Sequence, residues 1–125
     1  SAGSMSILVQ SFGFKRGVPA DADLVFDVRM LPNPHWVKEL RLKSGLDAEV
    51  REFLENQSMT TELYRDICHF LDNWLPRYRE GNRSYMNIAL GCTGGQHRSV
   101  YLVNRLFEHY KEQYPTIHVR HRELL

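Results

Sequence analysis

The chain is short of the residues that mark several common protein classes, and each shortage excludes something. Only two cysteines occur in 125 residues, Cys68 and Cys92, too few for the dense cross-linking of a small secreted scaffold. Free thiols in a reducing compartment, the cytoplasm, are the expectation. No apolar run approaches the ~18 residues that span a bilayer, and no signal-peptide pattern opens the chain. The charges nearly cancel, 16 basic against 15 acidic residues, so no global field draws the chain to nucleic acid. Any RNA affinity must then come from a local cluster of Lys and Arg. There is no repeat, no internal linker and no low-complexity tract. What is left, 42% apolar and 25% charged, is the composition of one globular domain. Ser1-Ala2-Gly3-Ser4 reads as an expression-vector remnant, which assigns residues 1–5 to the remnant and 6–125 to the domain.

The pattern of apolar residues predicts an α/β fold with a small mixed sheet. Ile7, Val9 and Phe12 mark a first strand within residues 6–14, and the Val- and Phe-rich run 24–30 marks a second. Two prolines in Leu31-Pro32-Asn33-Pro34-His35-Trp36 exclude helix and hold that corner extended. Residues 37–46 read as irregular, and Asp47 can cap a short helix through about Glu55. Thr60 or Thr61 caps a longer helix with Leu63, Ile67, Leu71, Trp74 and Tyr78 on its apolar face, bent or ended near Pro76. A strand follows at 85–90, then a loop and a helix carrying Val100, Val103, Phe107 and Tyr110. Pro115 stops that helix, and 116–120 makes a last strand. Strand, helix, strand at this spacing favours a parallel pair.

The loop between the third strand and the last helix reads Cys92-Thr93-Gly94-Gly95-Gln96-His97-Arg98-Ser99. A strand that enters a glycine loop opening a helix forms a phosphate-binding unit. The first N–H groups of the helix lack internal partners, and the macrodipole adds partial positive charge. Two glycines let the backbone curl around an anion, and Arg98 supplies a planar fork. His97 and Arg98 also oppose the dipole unless an anion sits there, a conflict that points to function. Sites in open α/β sheets lie beyond the carboxyl ends of parallel strands. If the second strand runs parallel to the third, Asp27, Arg29 and His35 reach that same edge.

Cys92 and Arg98 also fit the Cys-x5-Arg-[Ser/Thr] pattern of cysteine phosphatases, in which a thiolate attacks phosphorus. The usual His before the Cys is here Gly91, and only Asp27 or His35 suits the general acid. The bland alternative is that Cys92 packs at the end of a buried strand. His118 and His121, three apart on a strand, point to opposite faces and make a poor metal pair, so no metal is expected. His69 and His109 read as helix-flank residues, and Trp36 and Trp74 as core or dimer contacts rather than base-stacking platforms. Lys15, Arg16, Arg41, Lys43, Arg83, Arg120 and Arg122 form an RNA-binding patch only if they gather around the site edge. Scattered surface charge is the commoner outcome.

Taken in order, Ser11-Phe12-Gly13-Phe14-Lys15, Phe26-Asp27-Val28-Arg29, Leu31-Pro32-Asn33-Pro34-His35, Asn82-Arg83-Ser84-Tyr85, Gly91 to Val100 and Arg120-His121-Arg122 resemble the carboxy-terminal domain of the RapZ family of RNase adapter proteins. The resemblance covers nearly the whole chain. It implies a missing amino-terminal domain that binds ATP or GTP through a Walker-type loop, since no Gly-x4-Gly-Lys-[Ser/Thr] occurs here and no cofactor is expected in this domain. It further implies a non-enzymatic domain that senses glucosamine-6-phosphate, binds small regulatory RNA and presents it to an endoribonuclease, within a homo-oligomer. Carried over by motif, the phosphosugar site comprises Asp27, Arg29, His35, Thr93, Gly94, Gly95, Gln96, His97, Arg98 and Ser99. The RNA-binding residues would be Lys15, Arg16, Arg83, Arg120 and Arg122. Strongly RNA-binding relatives tend to carry a Lys/Arg-rich tail after the His-Arg-x-Leu segment, where this sequence reads Arg122-Glu123-Leu124-Leu125.

Overall fold

Four parallel strands and three helices make up the domain in the computed structural model, which describes residues 4–125. Residues 1–3, part of the expected vector remnant, lie outside the described residues. In chain order the elements are β1 (Ser6–Gly13), β2 (Leu24–Asp27), α1 (Ala48–Glu55), α2 (Ser58–Glu80), β3 (Tyr85–Cys92), α3 (Arg98–Tyr110) and β4 (Ile117–His121). The sheet order is β2-β3-β1-β4. Every strand pairing is parallel, so the α/β fold forms with a wholly parallel sheet where the sequence suggested a mixed one. The composition of β3 explains why it sits inside the sheet. Met86 to Cys92 are all buried, as expected of a strand covered on both faces.

One sheet face is apolar. Ile7, Val9, Met86, Ile88, Leu90 and Ile117 share it by register, and all are buried in the core with Leu102, Leu106 and Tyr110 of α3. Gln10 and Asn87 lie on the other face and hydrogen-bond each other at 2.8 Å.

Several boundaries moved, for local reasons. Asp47 precedes α1, but its carboxylate accepts from Ser44 N at 2.7 Å instead of capping the helix. The long helix starts at Ser58 behind Gln57, which leaves the expected cap Thr60 inside the helix and fully buried. Its packed stripe runs through Ile67, Cys68, Leu71 and Leu75, while Trp74 turns outward at 40% exposure. Pro76 neither ends nor closes the helix, which continues to Glu80. On α3 the buried apolar positions are Val100, Tyr101, Leu102, Val103, Leu106 and Tyr110, with Phe107 only partly covered. The proline corner is not extended throughout. Pro34 opens a short 3-10 turn over Pro34–Trp36, and Asn33 caps it by accepting from His35 N. Proline suits a first helical position because that N–H would have no partner anyway.

Candidate functional site

The carboxyl ends of three strands meet at one edge. Gly13 of β1 pairs with Cys92, and Asp27 of β2 pairs with Gly91. Beyond that edge lies a cavity of about 820 Å³, lined by Lys15, Arg29, Leu31, Asn33, His35, Trp36, Arg41, Cys92, Thr93, Gly94, Gln96, His97 and Arg98. Four of these side chains are permanent cations and none is a carboxylate. Such a wall attracts anions and repels nothing negative.

The Thr93–His97 loop is fixed from behind, by groups that leave its amides free. Lys15 N donates to Thr93 O at 3.2 Å, and Gly45 N donates to Gln96 O at 2.8 Å. Gln96 Nε2 donates to Glu123 O at 3.0 Å, and Gly13 N donates to the Glu123 carboxylate. Among the described residues, no protein oxygen accepts from the backbone N–H groups of residues 94–98. Gly95 holds φ at 73°, a left-handed conformation that glycine adopts without steric cost. Gly13 approaches closely as well, since a Cβ there would meet Gly94 C at 2.6 Å.

Two buried side chains in this wall end in unmatched donors or acceptors. His97 is 7% exposed and Arg98 4% exposed, yet His97 Nε2 and Arg98 Nε have no partner. Buried polar atoms are ordinarily paired, and both atoms remain available to a group entering from the cavity. The fork of Arg98 is not entirely free, however. Its Nη1 donates to Arg29 O at 2.6 Å and Leu31 O at 3.1 Å, tying the turn after β2 to the first turn of α3. Burial lowers the pKa of Arg98, with Cys92 opposing.

Of the ten expected sugar-phosphate residues, Arg29, His35, Thr93, Gly94, Gln96, His97 and Arg98 line the cavity. Asp27, Gly95 and Ser99 do not. Asp27 is engaged by Arg29, whose Nε and Nη2 reach its two oxygens at 2.9 and 2.7 Å. That hydrogen bonding holds the Asp27 carboxyl below the usual carboxylate range. The two residues therefore do not stand side by side on a strand. Arg29 lies in the turn past β2 and stacks its guanidinium on the Phe14 ring at 3.8 Å. Gly95 shapes the loop from behind, and Ser99 is fully buried with Oγ 3.0 Å from Cys92 Sγ.

The structure adds Lys15, Asn33, Trp36, Arg41 and Cys92 to the wall. Trp36, expected in a core or dimer contact, is 76% exposed at this cavity. Arg41 was named only among basic residues that could gather at the site edge, and of that set it lines the cavity with Lys15. The residues expected to bind RNA divide. Lys15 lines the cavity and Arg16 follows it. Arg83 precedes the amino end of β3, at the opposite edge, and pairs with Asp23 at 2.9 Å. Arg120 lies on β4, and Arg122 is taken up by Glu123 and Gly17 O. His121 accompanies them with its ring between Ser11 Oγ and Asn104 Oδ1. Among the described residues, no group of three or more His, Cys, Asp or Glu converges as a metal site would require.

Burial pushes the imidazoles of both His97 and His121 below their ordinary value of 6.5. Folding thus removes protons that the unfolded chain would hold, so stability is complete above 6.5 and declines as pH falls below it. The urea midpoint is expected to be lower at roughly pH 5.5 than at roughly pH 7.5. The carboxylates with lowered values, Asp27 and Glu123, stabilise throughout this interval and lose that contribution only at more acid pH. A flat midpoint over that interval would show that neither imidazole is buried neutral.

Fold and cavity together define a parallel α/β domain with a carboxylate-free cationic pocket on a strand-loop-helix unit. Residues 5–125 match the family profile described as the RapZ C-terminal domain, and the chain belongs to that family. It is 60% identical to a nucleotide-binding protein of Cellvibrio japonicus over 97% of this chain and 41% of that protein. A nucleotide-binding protein of Acinetobacter baylyi is 58% identical over 94% of this chain and 41% of its own length. One from Pseudomonas fluorescens is 56% identical over 95% and 42%. The chain spans about two fifths of the length of these relatives. No helix among the described residues is long and apolar enough to cross a membrane.

Proposed function

We propose that this domain is a non-catalytic sensor of a phosphorylated amino sugar such as glucosamine-6-phosphate. We further propose that in the whole protein it binds small regulatory RNA, presents it to an endoribonuclease, and works within a homo-oligomer. The observation that carries the ligand reading is the set of unpartnered groups at one place. Free amides of residues 94–98 accompany the orphaned His97 Nε2 and Arg98 Nε in a wall without carboxylates. Such a wall desolvates and neutralises a phosphate with preset donors.

Lys15, Arg29 and Arg41 at the same cavity support competition between sugar phosphate and RNA backbone, since both offer phosphate oxygens. The nucleotide of the relatives' names is assigned to the larger part of those proteins that lies outside this chain, so no cofactor is proposed here.

Several features favour binding over phosphatase chemistry. Asp27 is engaged by Arg29 in a paired hydrogen bond, and Arg98 Nη1 is turned toward two backbone carbonyls. The position before Cys92 cannot hold a histidine, because even a Cβ on Gly91 would sit 2.4 Å from the Phe12 ring and 2.6 Å from that of Phe14. Calorimetry is expected to detect glucosamine-6-phosphate and, more weakly, inorganic phosphate, with labelled RNA displaced by the sugar phosphate. Aryl phosphate turnover should be no higher in the parent than in Cys92→Ser. Absence of phosphate or sugar-phosphate binding at millimolar concentration would refute the sensor, and Cys92-dependent turnover would restore the enzyme.

A further inference from the structure

We propose that the free edge of β4, with the cavity beside it, is a docking groove for an extended acidic peptide segment of a partner protein, which adds a fifth strand to the sheet and sets a carboxylate on Arg105. The groove shares no wall residue with the phosphate cavity, and the inference does not depend on the reading of that site.

β4 ends the sheet and pairs with β1 alone. In a parallel ladder alternate residues turn their N–H and C=O toward the neighbouring strand. Ile7 N donates to Thr116 O, and Arg122 N donates to Ser11 O. With this register His118 and Arg120 bond β1, while Ile117, Val119 and His121 turn their backbone groups outward. Ile117 N donates to Tyr114 O, and His121 O accepts from Leu124 N. Val119 N and O, at the centre of the edge, have no partner among the described residues. Such an edge is a template for a further strand.

The cavity gives that strand room. It measures about 880 Å³ and runs from Ile117–Val119 across α3 to Arg51 and Glu55 of α1. Arg105 is held ready in its wall. The Arg105 Nη1 donates to Tyr101 Oη at 3.1 Å, and the guanidinium lies over the Tyr64 ring at 4.0 Å. Among the described residues, no carboxylate pairs with Arg105 or Arg51. Burial pushes the Tyr101 phenol up, and the charges of Arg105, Glu55 and Arg51 also act on it, so these groups face one space. A guanidinium fixed without a counterion suits a carboxylate. His118 and Arg120, exposed on the same strand, add positive charge beside the edge. Glu108 is taken up by Lys111, which leaves Glu55 as the wall carboxylate without an ion-pair partner. The balance favours an acidic guest. Glu55, the apolar Ile117 and Val119 and the free backbone groups favour a peptide over the continuous phosphates of a nucleic acid.

The test titrates a labelled octapeptide of alternating Glu and Thr into the parent chain, Arg105→Gln and Val119→Pro. A Gln-Thr octapeptide and a fully N-methylated Glu-Thr octapeptide are the comparisons. The Glu-Thr peptide should bind the parent, and both comparison peptides should bind about tenfold more weakly. Arg105→Gln should weaken the Glu-Thr peptide by about tenfold and leave the Gln-Thr peptide unchanged. Val119→Pro should weaken the Glu-Thr peptide while sparing the ladder to β1, which does not use Val119 N. The N-methylated peptide tests the same hydrogen bonds should that variant fail to fold. Hydrogen exchange at the Val119 amide should slow when the Glu-Thr peptide binds. Binding without that protection, or equal affinity for the Glu-Thr and Gln-Thr peptides, would overturn the proposal. So would the absence of peptide binding at millimolar concentration. A labelled RNA oligonucleotide that loses affinity in Arg105→Gln, where no peptide binds, would overturn it in favour of a nucleic-acid surface.

Discussion

Replacing Gly95 with alanine is expected to lower stability by about 2–4 kcal/mol and to abolish phosphate binding. Gly95 sits at φ 73°, where a side chain costs roughly 1–2 kcal/mol before any contact is counted. The new Cβ would also lie 2.7 Å from Gly13 N and 2.8 Å from Phe12 C. Both atoms belong to β1, an interior strand of the sheet, and cannot yield without disturbing the core. Glu123 Cγ, at 2.5 Å, belongs to a side chain that can move, but its carboxylate would then release Gly13 N. The loop must therefore lift away from the strand, and its amides lose their common aim. Gly17 is the internal control: its φ is 91°, but nothing lies within 4 Å of its Cβ position. Gly17→Ala should cost about 1–2 kcal/mol and leave phosphate binding intact. Urea denaturation and calorimetry on both variants decide the matter, and equal effects would mean that close approach does not shape the loop.

Arg98→Ala should remove stability and ligand affinity together. The guanidinium is buried and bridges Arg29 O and Leu31 O, so its loss leaves two carbonyls without a donor. An unsatisfied buried acceptor costs about 1–3 kcal/mol, and a destabilisation of about 2–4 kcal/mol follows for the pair. The turn that carries Arg29 toward the cavity would loosen, and the cation beside the loop amides would be gone. Arg41→Ala separates the two effects. Arg41 is exposed, and its side chain donates to the His35 carbonyl, so affinity should fall while the urea midpoint stays within about 0.5 kcal/mol of the parent. An Arg98→Ala protein with the parental midpoint would show that the two carbonyl bonds contribute nothing to the fold.

These two residues show how far a sequence can be read. The strand-loop-helix unit was visible because its signals are local: an apolar run, two glycines and an amphipathic segment whose first turn is basic. That pattern put Arg98 at the loop, and it does line the cavity there. Its second task, gripping carbonyls 69 and 67 positions away in sequence, leaves no local mark. Gly95 was grouped with the binding residues, whereas its contribution is to fit against β1. Ser99 carried an equally reasonable motif position, but the helix turns it inward to Cys92. Asp27 was expected at the same edge as Arg29, but β2 ends at Asp27 and the Arg29 side chain turns back onto its carboxylate.

Helix caps failed for a related reason. Thr60 has the chemistry of a cap, but burial of its side chain against the core lengthens the helix to Ser58. Trp36 departs the other way from the core half of its expectation, at 76% exposure. A tryptophan ordinarily seeks burial, and nothing in the letters around it says that the proline corner faces a cavity.

The sequence by itself determined the alternation of strands and helices, the glycine loop at Cys92–Ser99 that opens a helix and the family to which the chain is similar, because each is written in contiguous residues. Only the tertiary structure decided that all strands run parallel, that Trp36 and Arg41 join Lys15 at one wall, and that Asp27 leaves it. Those outcomes depend on which distant segments pack against the ends of β1 and β3, and a one-dimensional pattern fixes neither their distance nor the direction in which their side chains point.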